Sequence, residues 1–141
     1  MSYIETAARY AKVMEDGKIK KVTERFLVDA LSCVEAETRT IEELTRYVSG
    51  DLEVTANKKA NISEFVGDKG ADKFYLAKVA FITFDEKSGK EKKTVSHMLV
   101  GAQNFTEAYL AFGEAMKGTM ADFDLVSLAE TPIKEFYPAK L

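Results

Sequence analysis

The chain carries one cysteine, Cys33, and one histidine, His97, the residue types that a thiol nucleophile and its base require. Cys33 follows Ser32 at the predicted start of a helix, a position where many reactive thiols lie. When the chain is aligned with itself at an offset of 72 residues, Cys33 matches Phe105 and His97 matches Arg25. Phe105 is expected to begin the inward-facing stripe of the second helix, so its counterpart Cys33 is expected to be a small core residue. The match with Arg25 favours a polar position on a strand face for His97. We therefore expect neither residue to be catalytic.

Metal-binding and phosphate-binding patterns are absent from the sequence. One histidine, one cysteine and scattered carboxylates provide no ligand set with the spacing of a zinc or calcium site. Neither a Walker A sequence nor Gly-x-Gly-x-x-Gly occurs. We expect no metal, no cofactor and no enzymatic activity.

Lysines recur at two places 72 residues apart, each directly after a predicted turn. Residues two apart on a strand project from the same face, so alternate lysines of each group are expected to lie side by side. Aromatic residues, among them Tyr10 and Phe84, occur on the same predicted hairpins. The predicted site consists of Lys18, Lys20, Lys21, Arg25, Lys90, Lys92, Lys93 and Tyr10.

This combination of residue types is typical of surfaces that bind single-stranded nucleic acid. Lysines neutralise phosphates, and exposed rings stack on bases at about 1–3 kcal/mol each. Lysines on an exposed hairpin also have a simpler role, since they prevent edge strands from pairing with other chains. The sequence leaves both interpretations open, and it favours nucleic-acid binding because the lysines are present in both groups.

The alternative function is a protein-interaction or adaptor module. Such a module would act through a sheet edge or through the acidic face of the first helix, and a homodimer is included in this alternative. The acidic face contains Glu35, Glu37, Glu42 and Glu43, with Glu42 and Arg46 spaced as an i,i+4 pair.

The elements that position these residues follow from turns, caps and periodicity. Residues 3–14 read as a strand, Asp16-Gly17 as a hairpin turn, and residues 19–28 as a second strand. Ser32 and Glu35 form a capping box that begins a helix, and Gly50 is expected to end it. A long strand over residues 52–62 follows.

The second half repeats this order of elements. Nine of the twenty positions 17–36 are identical to the residue 72 positions later. The sequence therefore predicts an α+β fold of two tandem ββαβ repeats related by pseudo-twofold symmetry. Each repeat has an antiparallel hairpin with one helix packed on the sheet. The expected boundaries are a single domain 1–141, with repeat 1 at 1–66, a linker at 67–72 and repeat 2 at 73–141.

Composition sets broad limits. With 141 residues, 46% of them hydrophobic, the chain has the length and balance of one globular domain. A net charge of -3 excludes a globally basic, histone-like protein. No apolar run approaches the ~18 residues of a membrane span, and the N-terminal residues lack the pattern of a signal peptide. We expect a cytoplasmic protein with no membrane partner.

Several segments resemble the signatures of an uncharacterised small-protein family from anaerobic gut bacteria and their tailed phages. The segments are the runs that begin at Lys20, Phe81, Met98 and Met116. The resemblance covers nearly the whole chain and brings no catalytic or binding residue with it. Its phage connection implies a small accessory protein with a role in DNA handling or host interaction.

Overall fold

The computed structural model describes residues 2–140, which form eight strands and two helices in two compact units. The first unit contains residues up to Ala60 and from Pro132 onward, and the second is Asn61–Thr131. No helix among these residues is long and apolar enough to cross a membrane. The elements are β1 (Ser2–Val13), β2 (Ile19–Ala30), α1 (Cys33–Thr45), β3 (Leu52–Lys59), β4 (Glu64–Gly67), β5 (Lys73–Phe84), β6 (Glu91–Ala102), α2 (Phe105–Ala115), β7 (Asp122–Glu130) and β8 (Ile133–Tyr137).

The first unit is a four-stranded sheet in the order β3-β1-β2-β8 with α1 packed on it. Strands β1 and β2 form an antiparallel hairpin whose register extends from Ser2 opposite Ala30 to Val13 opposite Ile19. Strand β3 pairs antiparallel with β1, and β8 pairs parallel with β2. The hairpin therefore lies at the centre of the sheet.

The second unit is a four-stranded sheet in the order β4-β6-β5-β7 with α2 packed on it. The antiparallel β5–β6 hairpin extends from Lys73 opposite Ala102 to Phe84 opposite Glu91. Strand β7 pairs antiparallel with β5, and β4 pairs parallel with β6. Here too the hairpin is central.

These findings confirm the α+β class and assign strands differently from the predicted boundaries. The sequence places residues 64–66 of β4 in the first repeat, but β4 pairs with β6 of the second unit. It places β8 in the second repeat, but β8 pairs with β2 of the first unit. The expected linker at 67–72 begins with Gly67, the last residue of β4, which lies beside Gly101.

Both helices begin at the predicted capping boxes. The Ser32 hydroxyl accepts a hydrogen bond from the Glu35 backbone amide at 3.2 Å. Asn104 does the same for the Glu107 amide at 2.9 Å. Each glutamate in turn accepts a bond from a backbone amide that precedes the cap, at 3.0 and 3.1 Å. The reciprocal bonds satisfy amides that a helix start leaves unpaired.

The predicted end of α1 is wrong. The helix ends at Thr45 with Arg46 as its C-cap, before Gly50. Val48 lies in the segment after the helix and packs against the core. Its position therefore extends the apolar spacing of the helix in the sequence, although it is not part of the helix. The long strand predicted to reach residue 62 also ends earlier, at Lys59.

The core of each unit lies between the helix and one face of the hairpin. In the first unit Ile4, Phe26 and Val28 of the hairpin pack with buried residues of α1, and a buried hydrogen bond of 2.8 Å joins Thr6 and Thr40. The second unit buries a corresponding set from its hairpin and α2. Its members include Tyr75, Val79, Val100, Ala108 and Phe112.

The far end of each hairpin extends beyond the strands that flank it. The β3 register ends where Leu52 lies opposite Tyr10, so residues 11–21 form a two-stranded ribbon, here called ribbon 1. The β7 register ends opposite Ile82, which leaves residues 83–92 as ribbon 2. Strands β8 and β4 pair only near the opposite end of each hairpin. Within the described chain, no third strand pairs with either ribbon.

We predict that Gly101→Ala strongly destabilises the protein. A Cβ at Gly101 would lie 1.9 Å from the carbonyl oxygen of Asp68, the residue directly after β4, which pairs parallel with β6. Because the obstacle is backbone, the cost should be about 3 kcal/mol, the upper part of the range for overpacking. Urea denaturation followed by circular dichroism measures it.

Gly113→Ala is the matched control. A Cβ at Gly113 meets nothing within 4 Å, and alanine is the better helix former, so this variant should be as stable as the parent or up to about 1 kcal/mol more stable. Equal stability of the two variants would contradict the close approach at Gly101.

Candidate nucleic-acid interface

The six predicted lysines lie on or beside the two ribbons. Opposite residues of an antiparallel pair share a face, so Lys20 lies on the helix-bearing face of its hairpin and Lys21 on the other face. Lys92 and Lys93 have the same arrangement in the second unit. Lysines are therefore present on both faces of each hairpin end.

Lys18 and Lys90 lie in the turns rather than in the strands. The Lys18 carbonyl accepts a hydrogen bond from the Met14 amide at 2.8 Å, and the Lys90 carbonyl accepts one from the Asp85 amide at 2.9 Å. These bonds close the two hairpins. Strand alternation therefore does not decide the direction of these two side chains relative to Lys20 and Lys92.

The charges of these lysines are not neutralised locally by ion pairs. All six side chains are exposed, and within residues 2–140 none forms an ion pair. Residues 12–21 contain four lysines and two acids, and residues 84–93 contain four lysines and three acids. Since the chain as a whole has a net charge of -3, positive charge is concentrated at the hairpin ends.

Arg25 lies on the same face as Lys21 and already has a partner. Its guanidinium forms an ion pair with Glu5 at 3.2 Å. Both side chains belong to the part of the hairpin nearer the core. The structure thus separates Arg25 from the unpaired lysines.

Tyr10 is half-buried and its ring packs against the core of the first unit. Its hydroxyl donates a hydrogen bond to Glu24, which also contacts Lys12 at 3.4 Å and Lys134 at 3.6 Å. Burial raises the pKa of the Tyr10 phenol, and the carboxylates of Glu24 and Glu135 raise it further. The predicted stacking ring is thus held at the base of ribbon 1.

The pKa of Glu24 is set by opposing effects. Burial acts to raise this pKa, but the Tyr10 hydrogen bond and the charges of Lys12 and Lys134 together lower it below its usual range. The folded protein therefore stabilises the carboxylate. That stabilisation is complete above the ordinary glutamate pKa of about 4.3 and is lost as the pH falls through the lowered value.

We predict that Tyr10→Phe destabilises the first unit by about 1–3 kcal/mol at neutral pH, because Glu24 loses its phenol donor. The difference from the parent should shrink as the pH falls and Glu24 is protonated in both proteins. Chemical denaturation at neutral and acidic pH measures it. Tyr109→Phe, at an exposed position, is the control, and a Tyr10→Phe effect that grows in acid would contradict this account.

Phe84 is the aromatic residue that the structure leaves exposed beside the lysines. It is the last residue of β5, and 68% of its surface is accessible. The other rings of this hairpin are occupied: Phe74 and Tyr75 are buried, and Phe81 contacts Phe123 at 6.5 Å between ring centroids. Sequence reasoning did not select Phe84, although its place next to the turn was a usable signal.

A comparison with known families matches residues 2–139 to a domain of unknown function, DUF4494. The chain belongs to the DUF4494 family. This confirms the expectation of an uncharacterised family that covers nearly the whole chain. No curated protein and no solved structure matches the sequence.

The single cysteine and the single histidine of this DUF4494 chain lie in different units. Cys33 is half-buried beside the core of the first unit, and its backbone carbonyl accepts a hydrogen bond from the side-chain amide of Asn57 at 2.6 Å. In the second unit, Nδ1 of His97 lies 3.4 Å from the amide nitrogen of Asn61. Among the described residues, no group of three or more histidines, cysteines and acids could hold a metal ion.

The expectation that Phe105 begins the inward-facing stripe of the second helix is wrong. Phe105 is 54% exposed, and its ring meets that of Tyr75 edge-on, with 6.2 Å between the ring centroids. As the first residue of α2, it lies beside the core, whereas Ala108 and Phe112 are buried in it.

Proposed function

We propose that this DUF4494 protein is a non-enzymatic protein that binds single-stranded nucleic acid through the lysines of ribbons 1 and 2. The observation that carries the proposal is the set of six exposed lysines that lie on ribbons 1 and 2 or, for Lys93, directly beside ribbon 2. Within residues 2–140 none of the six forms an ion pair, and no third strand pairs with either ribbon. A phosphate backbone that contacts these lysines releases its condensed counterions, which favours binding. Binding is therefore expected to weaken steeply with salt.

Phe84 supplies the preference for a single strand. In the register of the β5–β6 hairpin, Phe84 lies opposite Glu91 and diagonal to Lys93 on the face away from α2, whereas Lys92 lies on the helix-bearing face. Its ring is largely accessible to solvent. Stacking requires an unpaired base with an open face, which a duplex does not offer. Ribbon 2 thus combines electrostatic and stacking contacts.

We propose further that the two units arose by tandem duplication of a ββαβ sequence. The identical lysines, the capping boxes and the shared order of hairpin, helix and antiparallel strand support this origin. A role as a cytoplasmic accessory protein of phages or mobile elements is consistent with a small nucleic-acid-binding protein, and it is part of the same proposal.

We predict that the double variant Lys20→Ala/Lys92→Ala binds single strands about tenfold or more weakly at low salt. Loss of two phosphate contacts should also flatten the slope of log K against log salt by about 1.4, since each contact on a single strand contributes about 0.7. Fluorescence anisotropy at several salt concentrations measures both quantities.

The control for this variant is Lys58→Ala/Lys69→Ala, which removes the same charge at exposed lysines outside the ribbons, one in each unit. It should change affinity and slope much less. Equal losses in the two double variants would place the binding surface elsewhere.

We predict that Phe84→Ala weakens binding to a single strand by about fivefold to a hundredfold, the equivalent of one lost stacking contact. The salt slope should remain unchanged because no charge is lost. Met120→Ala removes a still more exposed apolar side chain of the same unit and should bind normally. A parental affinity for Phe84→Ala would eliminate stacking at this position.

A protein-interaction role is the second candidate, and the outward face of α2 favours it. Phe105, Tyr109 and Leu110 are each more than half exposed. By contrast, the acidic face of α1 is largely occupied, since Glu43 pairs with Arg46 and Glu42 with Lys140. Size-exclusion chromatography with light scattering tests the homodimer form of this candidate, which requires self-association in the absence of nucleic acid.

A further inference from the structure

A cleft of about 290 Å³ opens beside ribbon 1 in the first unit. It lies where β3 begins, because Leu52 pairs with Tyr10 while Asp51 precedes the strand. Ala11 lines the cleft opposite Lys21, and its small side chain leaves the space unfilled. The volume lies close to the ~300 Å³ at which the range of small-molecule sites begins.

Four charged residues line this cleft without pairing with one another. Arg9 and Lys21 provide two cations, and Asp51 and Glu53 provide two carboxylates. Arg9 lies directly opposite Glu53 in the sheet. Even so, within residues 2–140 none of the four takes part in an ion pair, and all four side chains are exposed. Their charges are available to a ligand that carries both an anionic group and hydrogen-bond donors.

We infer that this cleft binds one amino-bearing nucleobase of a single strand, an inference that rests on the proposed function. Arg9 and Lys21 contact the flanking phosphates, as guanidinium and ammonium groups do in nucleic-acid complexes. Asp51 and Glu53 accept hydrogen bonds from the exocyclic amino group of the base. Carboxylates pair in this way with the N4 amino group of cytosine, whereas thymine presents a carbonyl oxygen at the same position.

The inference predicts a preference that backbone contacts alone do not produce. Lysine contacts to phosphates are independent of sequence, so the ribbons themselves bind oligo-dC and oligo-dT alike. A carboxylate facing O4 of thymine meets a second acceptor and gains no hydrogen bond. We therefore expect the parent protein to bind oligo-dC at least about fivefold more tightly than oligo-dT of equal length.

The test compares this ratio in the parent, in Asp51→Ala/Glu53→Ala, and in the control Glu37→Ala/Asp72→Ala. Both double variants remove two exposed carboxylates, so any general gain in affinity for a polyanion should be similar. Anisotropy titrations at neutral pH give the two affinities. The expected result is a ratio near one for the cleft variant and the parental ratio for the control.

Other outcomes separate this inference from the proposed function. If the parent binds both oligonucleotides with equal, salt-dependent affinity, the proposed base site in the cleft is wrong, and binding through the ribbon lysines remains supported. A preference for oligo-dC that persists in Asp51→Ala/Glu53→Ala would also contradict the proposed base site. Binding to neither oligonucleotide at low salt would overturn the proposed function together with the inference.

Discussion

A difference in strand length determines the architecture of each unit. The central hairpins are built from strands of 12 residues, but the flanking strands β3, β7, β8 and β4 have only 8, 9, 5 and 4. The helix and the shorter strands cover the hairpin at one end and leave the other exposed to water. A bare two-stranded ribbon has little stability of its own, so its conformation depends on the covered end. Lysines on such a ribbon remain solvated and also prevent pairing with other chains.

Each ribbon is held at its base by an aromatic residue on the helix-bearing face. In the first unit Tyr10 packs on the core and donates to Glu24, at the position where β3 begins. In the second unit Phe81 lies opposite Phe123 near the start of β7, and their rings are in contact. These contacts fix where the buried sheet ends and the exposed ribbon begins. The proposed phosphate contacts, the exposed Phe84 and the cleft beside Ala11 all lie at this boundary or beyond it.

The sequence predicted what is decided locally. Asp16-Gly17 and the two capping boxes depend on neighbouring residues, and the hairpins and helix starts were found where they were expected. The partners of β4 and β8 were not predicted, because short strands find their pairing through contacts distant in sequence. The hydrogen bond from Tyr10 to Glu24 was not predicted either, because it depends on the β1–β2 register, which composition does not reveal. The exposure of Phe84 depends on where β7 stops.

The most direct test of the account is a titration of the whole protein against a labelled ~30-nucleotide single strand and the corresponding duplex at two salt concentrations. We predict tighter binding to the single strand, with an affinity that falls steeply as salt increases. No binding to either nucleic acid at low salt, or an equal affinity for strand and duplex, would contradict it.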